Sequence, residues 1–240
     1  MFDPQSSLMG GVLPGDGTVD FYLRVATIVD ARTVLLDLGA GRGEWFEDDD
    51  VPLRRNLRLM KGRAVEVIGV DVDPAVLENR SVDRAAVITD GVIPVPDGAV
   101  DVIVCDYVLE HVDDVAGFAA EIDRVLKPGG WFCARTPSKW HYIAMAGRIM
   151  SNGLASRLIR RSQPDRKQED VFPTVYKLNR LRDVAAAFPS YESRSFVFRT
   201  RPSYFFGNRA LFWAFDFLHR VMPAAFSGNL FVFLKKSGSG

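Results

Sequence analysis

The chain has 240 residues, 48% of them hydrophobic, enough to bury the core of one sizeable globular domain. Its 30 basic and 30 acidic side chains cancel to a formal net charge of zero, so no overall field draws it to nucleic acid or to acidic membranes. The two cysteines, Cys105 and Cys133, both lie in apolar runs; they exclude a disulfide framework and read as small core residues of a reducing, cytoplasmic compartment.

Residues 1–17 carry neither a basic start nor an apolar stretch of the kind a secretory leader needs. No charge-free apolar run reaches membrane-spanning length. Residues 20–31 read as an entry helix. Then comes Val34-Leu35-Leu36-Asp37-Leu38-Gly39-Ala40-Gly41-Arg42-Gly43, an apolar run ending in glycines at every second position with an acid just before them. That is the pattern of a buried parallel strand running into a turn where the backbone approaches a ligand. Residues 45–50 read as an acidic linker. Residues 51–61, with Leu53, Leu57 and Met60 at helical spacing, read as the first crossover helix.

The second strand, 65–71, closes on Asp71, followed by Asp73-Pro74. In doubly wound sheets the acid at this place reaches the ribose hydroxyls of a bound nucleoside. A third strand, 86–89, ends at Asp90-Gly91, and a fourth, 100–105, runs into Asp106-Tyr107-Val108-Leu109-Glu110-His111. Residues 114–126 read as a crossover helix, Leu126-Lys127-Pro128-Gly129-Gly130 as its stop and turn, and 131–135 as a fifth strand. Right-handed connections between these elements give a parallel sheet with its ligand at the carboxyl edge.

Four segments, 37–43, 70–73, 94–103 and 126–130, resemble in order and spacing the motifs of class I S-adenosylmethionine-dependent methyltransferases, in the type 11 group of small-molecule enzymes. The resemblance covers residues 34 to about 136. It implies an α/β fold: a doubly wound Rossmann-like sheet, mostly parallel with an antiparallel last strand, and helices on both faces. It also implies S-adenosyl-L-methionine as methyl donor and S-adenosyl-L-homocysteine as product. Carried onto this chain, Gly39, Ala40, Gly41 and Gly43 would line the methionine portion, and Asp37 would orient that turn and face the amino group. Asp71 and Val72 would meet the ribose, Asp90 and Gly91 the adenine, and Asp106 and Tyr107 would flank the donated methyl. Without the resemblance these positions read as a strand-to-helix turn, a helix cap before Pro74, a turn acid and a wall. A nicotinamide fingerprint fits less well. Its last glycine is replaced by Glu44, and Glu44, Glu47, Asp48, Asp49 and Asp50 would repel a pyrophosphate that a sulfonium ligand lacks.

Methyl transfer to a hydroxyl calls for a base beside the acceptor. His111 and His141 are the candidate catalytic residues, and Glu110, Trp140, Tyr142 and Tyr176 the expected acceptor pocket. The pair Glu110-His111 reads equally well as a helix cap, and His219 as a surface or packing residue. Some relatives bind a metal through Glu-x-x-Glu-His; Tyr107 stands at the first of those positions, so no metal is expected.

Beyond residue 136 the pattern changes. Residues 140–159 read as helical and 160–170 as a basic stretch; 178–188 read as the last crossover helix, and 193–200 and 229–235 as strands. Residues 203–226 form a long aromatic insertion. The expected organisation is one methyltransferase domain over 1–240 with a cofactor-binding core at 34–136. Insertions at 137–175 and 201–228 would form an acceptor lid, and 237–240 a flexible tail. Arg148, Arg157, Arg160, Arg161, Arg166 and Lys167 suit an acidic acceptor, such as a phosphorylated or carboxylated saccharide, or a solvated face. Residues 204–226, flanked by Arg209 and Arg220, suit a lid, a dimer interface, a membrane-interface helix or packing onto the domain. The expected function is methyl transfer to an oxygen or nitrogen of a small-molecule or lipid-linked saccharide acceptor, by direct in-line displacement, in the cytoplasm or at the inner membrane face. The alternatives are an inactive cofactor-binding scaffold and a nucleic-acid methyltransferase. The zero net charge argues against the latter, as does the lack of an Asn/Asp-Pro-Pro-Tyr element after the fourth strand.

Overall fold

The computed structural model describes residues 4, 8–141, 173–202 and 207–238. Helix α1 (Gly17–Ala26) starts where the Asp16 carboxylate accepts from the amides of Thr18 and Val19, a cap of the kind that stabilises a helix by about 1 kcal/mol. That cap sets the entry helix earlier than the apolar spacing alone predicts. The chain continues through β1 (Val34–Leu38), α2 (Trp45–Asp48), α3 (Pro52–Arg58), β2 (Glu66–Asp71) and a 3-10 turn (Pro74–Glu78). Then follow β3 (Arg84–Val87), β4 (Val100–Asp106), α4 (Val115–Val125), β5 (Leu126–Pro137), α5 (Leu181–Ala187), β6 (Tyr191–Ser193) and β7 (Phe196–Arg199). Helices α6 (Arg209–Val221) and α7 (Ala224–Ser227) precede the last strand, β8 (Gly228–Lys236).

The sheet runs β3-β2-β1-β4-β5-β8-β6, with β7 also paired to β8. Its first five strands are parallel, and β8 turns antiparallel between β5 and the β6/β7 edge. Side chains alternate between two buried layers. Leu36, Leu38, Ile103 and Cys105 join Ile122 and Val125 of α4 and Val184 of α5 on one face. Leu35, Val102 and Val104 join Phe21, Tyr22 and Val25 of α1 on the other. Both cysteines are fully buried and free, and burial pushes both thiols up.

Besides shifts of a few residues at several element ends, three segments differ in kind from the sequence reading. Residues 45–50 contain a helical turn. The glycine-bearing stop is an outward bulge within β5: Leu126 already pairs with Val100, and Trp131 with Val102. The strand expected at 193–200 is two strands, because Arg194 N donates to the Phe233 carbonyl while Ser195 Oγ takes the Phe233 amide. The helix and basic stretch expected at 140–170 lie outside the described residues beyond His141, and so does Tyr142.

Candidate active site

Strand β1 delivers the chain to the middle of the sheet's carboxyl edge. There the amides of Gly39 and Ala40 both donate to the Val70 carbonyl, at 2.8 and 3.2 Å, stitching the glycine turn to β2. Gly39 has φ +78°, and a methyl on its Cα would collide with Val108 Cγ2, so only glycine fits between the turn and the loop after β4. Gly41, at φ +50°, is different: a Cβ there would meet no atom within 4 Å. The turn thus leaves a space that protein does not fill. At Gly43 the neighbour is the Asn79 side chain.

Asp71 closes β2 beside this space. Its Oδ2 accepts from Gly41 N at 2.9 Å and its Oδ1 from Asp73 N at 3.0 Å, and each oxygen keeps a lone pair for a ligand hydroxyl. Val72, next in line, is exposed. Asn79 is the residue that sequence reading missed here. Its buried amide donates to the carbonyls of Ala40 (3.1 Å) and Gly41 (3.0 Å), while its Oδ1 accepts from Ser81 N and Oγ. It clamps the turn from behind. Asp90 is exposed at φ +53° beside Gly91, whose Cβ direction is also open. The loop that follows is held by Arg124, which donates to the carbonyls of Ile93 and Val95 at 2.8 Å.

Under the turn lies a cluster of charges. Asp37 faces Tyr22, Trp45 and Arg58 around a narrow cavity. Burial pushes its carboxyl up to about 7, Arg58 opposes that, and Asp106 and Asp71 add to it. The Arg58 guanidinium lies 4.3 Å over the Trp45 ring, and its Nε is buried with no hydrogen-bond partner. A buried donor of this kind is a place for an acceptor. Asp106 departs from its expected role. Its carboxylate is buried in a two-point pair with Arg135, 2.7 Å at each contact, and also accepts from Tyr22 Oη at 3.2 Å. Burial alone would raise its pKa, but the Arg135 charge and hydrogen bonds hold it below the ordinary range. Asp106 anchors Arg135 and offers little to a ligand.

Tyr107 follows at φ +60°, a strained conformation for a residue with a side chain. Its ring is half exposed with the Arg135 guanidinium 4.8 Å from its centre, and its hydroxyl accepts from Asn229 Nδ2 at 2.7 Å.

Glu110 was expected on a pocket wall; it is buried instead. Its Oε2 accepts from Thr136 Oγ1 (2.7 Å), which in turn accepts from Asn179 Nδ2 (2.6 Å). Burial raises its carboxyl above the ordinary range, and the Thr136 hydroxyl pulls it partly back. Its carbonyl takes the amides of Val175 and Tyr176, and Tyr176 sits at φ +53°. His111 Nδ1 is 2.9 Å from the Pro173 carbonyl. Glu110 and His111 therefore tether the segment that returns to the domain at residue 173. Trp140 is half exposed and carries the Arg180 guanidinium on its ring at 4.7 Å.

The histidines regroup. His141, 9% exposed after β5, has its pKa lowered to about 4, first by burial and then by the charge of His219. His219 is no surface residue: it is 2% exposed on the inner side of α6, with Nδ1 2.8 Å from the Thr200 carbonyl. A carbonyl only accepts, so Nδ1 carries the proton and Nε2 is the basic nitrogen. Burial lowers its pKa, while the Thr200 carbonyl and Asp216 act in the other direction. The signal available in the sequence was Asp216 and His219 three residues apart in a helix otherwise apolar between Arg209 and Arg220. Among the described residues no group of three or more His, Cys, Asp or Glu could hold a metal ion, and no helix is long and apolar enough to cross a membrane.

The donor set fits S-adenosylmethionine. The space over Gly41 and Gly91, the spare lone pairs of Asp71, and the oppositely charged Asp37 and Arg58 suit a nucleoside with a zwitterionic amino-acid end. The acids near the turn suit a ligand without phosphate.

A family model described as a methyltransferase domain matches residues 17–192. A probable S-adenosylmethionine-dependent methyltransferase of Mycolicibacterium smegmatis is 32% identical over 155 residues, 58% of this chain and 57% of that protein. A ubiquinone biosynthesis O-methyltransferase of Thiobacillus denitrificans is 32% identical over 117 residues, 43% of this chain and 46% of its own. The chain spans about half the length of these curated relatives. Among solved structures, geranyl diphosphate C-methyltransferase from Streptomyces coelicolor, determined with Mg2+, geranyl-S-thiolodiphosphate and S-adenosyl-L-homocysteine, superposes with a TM-score of 0.57. Its sequence identity is 16%, over 92% of this chain and 75% of that one, which is a likeness of fold.

Proposed function

The chain belongs to the methyltransferase-domain family, and from that premise we propose that it transfers a methyl group from S-adenosyl-L-methionine to an oxygen or nitrogen of a small-molecule acceptor. The observation that carries this reading is the open space over Gly41, bordered by Asp71. When bound, the cofactor supplies a methyl on a positively charged sulfur, already activated for displacement. The chain's own residues bind and align. Asp71 accepts from the ribose hydroxyls, with Val72 beside them, and Asp90 and Gly91 border the adenine. Asp37 holds the ammonium and Arg58 the carboxylate of the amino-acid end. Tyr107, fixed by Asn229 and Arg135, walls the place where the acceptor meets the methyl.

Proton removal falls to the acceptor side. His219 Nε2, neutral and oriented by Thr200, takes the proton from an acceptor hydroxyl, with His141 beside it; His111 serves as a tether. The relative named for O-methylation in ubiquinone biosynthesis favours a hydroxyl as the accepting group. The basic stretch behind the saccharide expectation lies outside the described residues and lends that acceptor no support. Alignment and exclusion of water account for most of the rate in such a site.

The first test is calorimetric binding of S-adenosylmethionine and S-adenosylhomocysteine to the wild type and Asp71→Ala, with NAD as control. Binding of both sulfur nucleosides, weakened about tenfold or more by the substitution as one charge-assisted contact is lost, is the expected result. Preference for NAD, or no binding, overturns the reading.

A further inference from the structure

Helix α6 is built inside out. Its buried face carries Phe212, Asp216 and His219. Its solvent face carries Leu211, Trp213, Phe217, Leu218 and Val221, with Trp213 52% exposed, Val221 61% and Phe217 67%. At about 100° per residue these five, with Ala210 and Ala214, fill an arc of about 160° that contains no charged side chain. Phe226 of α7 is exposed as well. The helix's one acid, Asp216, points inward, where Arg201 and Arg220 pair with it. The two arginines of the helix, Arg209 and Arg220, fall on one border of the apolar arc and are exposed. An ordinary surface helix has the opposite layout, apolar inside and charged outside.

We propose that this face of α6 docks on an anionic lipid bilayer, lying in the interface with Trp213 and Phe217 inserted and Arg209 and Arg220 among the headgroup phosphates. Charge supports that occupant. The border is basic and the helix exposes no carboxylate; Arg220 pairs with Asp216 through one nitrogen while its side chain stays 62% exposed, so an anionic surface can gain contacts there. The proposal does not depend on methyl transfer, and its readout involves no turnover.

The test is flotation of the full chain with phosphatidylcholine vesicles, with and without about one-third phosphatidylglycerol, alongside Trp213→Ser/Phe217→Glu and Arg209→Gln/Arg220→Gln. The wild type is expected to float with anionic vesicles. The apolar double variant should lose at least tenfold in bound fraction. The arginine variant should keep weak binding that no longer responds to salt. Because Trp213 and Phe217 are exposed, circular dichroism of the first variant should be unchanged, which separates lost docking from lost fold. Absence of wild-type flotation on anionic vesicles overturns the proposal. So does a concentration-dependent dimer that Phe217→Glu dissolves, since the face then belongs to a second copy of the chain.

Discussion

The two sides of the site are constructed differently. On the proposed cofactor side, Gly39 to Gly43 and Asp90 lie in turns after β1 and β3 and Asp71 closes β2, so backbone and short side chains border the space. On the proposed acceptor side, the groups come from four separated segments, around residues 107–111, 136–141, 173–180 and 199–229, as polar side chains that complete one another's hydrogen bonds. Thr136 needs Glu110 and Asn179; Tyr107 needs Asn229; His219 needs Thr200. A turn after a strand is specified by its own residues. A buried polar network is specified only when every distant partner is in place.

Asp106 joins the two sides, and removing it should have the largest effect. Asp106→Ala leaves Arg135 buried without its counter-charge, for which a loss of about 3–5 kcal/mol is ordinary. Chemical denaturation should show it, together with loss of both cofactor and acceptor binding. Asp106→Ala/Arg135→Met, which removes both charges, should recover most of the stability. If the single substitution is mild and binding persists, the two sides are not joined here.

Next in size is His219→Ala, which should divide the sides cleanly. Turnover on a hydroxyl acceptor is expected to fall about 10²-fold, within the range for loss of a general base, with cofactor affinity unchanged. His111→Ala should lower stability by about 1 kcal/mol, the scale of one hydrogen bond, with turnover nearly intact. Equal losses from the two substitutions would return His111 to the chemistry.

This division also explains what was legible beforehand. The strand ends and the glycine turn could be read because each is local: an apolar run, then a residue type that the turn itself requires; the ligand roles of Asp37, Asp71 and Asp90 rest on the family resemblance and belong to the proposal. Both cysteines in the core were readable for the same reason, whereas the antiparallel β8 followed from the family resemblance. Asp106 was misjudged because its partner, Arg135, sits one strand over, 29 residues away. Glu110 was misjudged because what buries it is a segment more than 60 residues downstream. His219 was passed over because a histidine in an aromatic run looks like packing, and only the rotation of α6 turns it inward. Asn79 was missed because the turn it clamps lies 38 and 39 residues upstream, and no local rule calls for an asparagine after a 3-10 turn.

A smaller effect probes the cofactor side alone. Asn79→Ala removes two hydrogen bonds from the back of the glycine turn, each worth about 1 kcal/mol net. S-adenosylmethionine affinity should weaken about tenfold while the acceptor KM stays constant. A change in KM of the same size would mean that the turn and the acceptor pocket move as one body.

The smallest and most specific effect is one of pH. In the free protein burial holds the Asp37 carboxyl at about 7, above its unfolded value of about 4. Between those values the native state binds the extra proton, so this group's contribution to stability is present at low pH and declines as the pH rises toward 7. Cofactor binding runs the other way. A ligand ammonium needs the carboxylate, so affinity should rise between pH 6 and pH 7.5, by roughly three- to tenfold, and binding should release a proton. Calorimetry in two buffers of different ionisation enthalpy measures that proton directly. Asp37→Asn should abolish both the release and the pH slope, and His219→Ala should leave them untouched. A proton release that survives Asp37→Asn but disappears with His219→Ala would place the titrating group on the acceptor side, and the separation between the two halves of the site would fail at its most sensitive point.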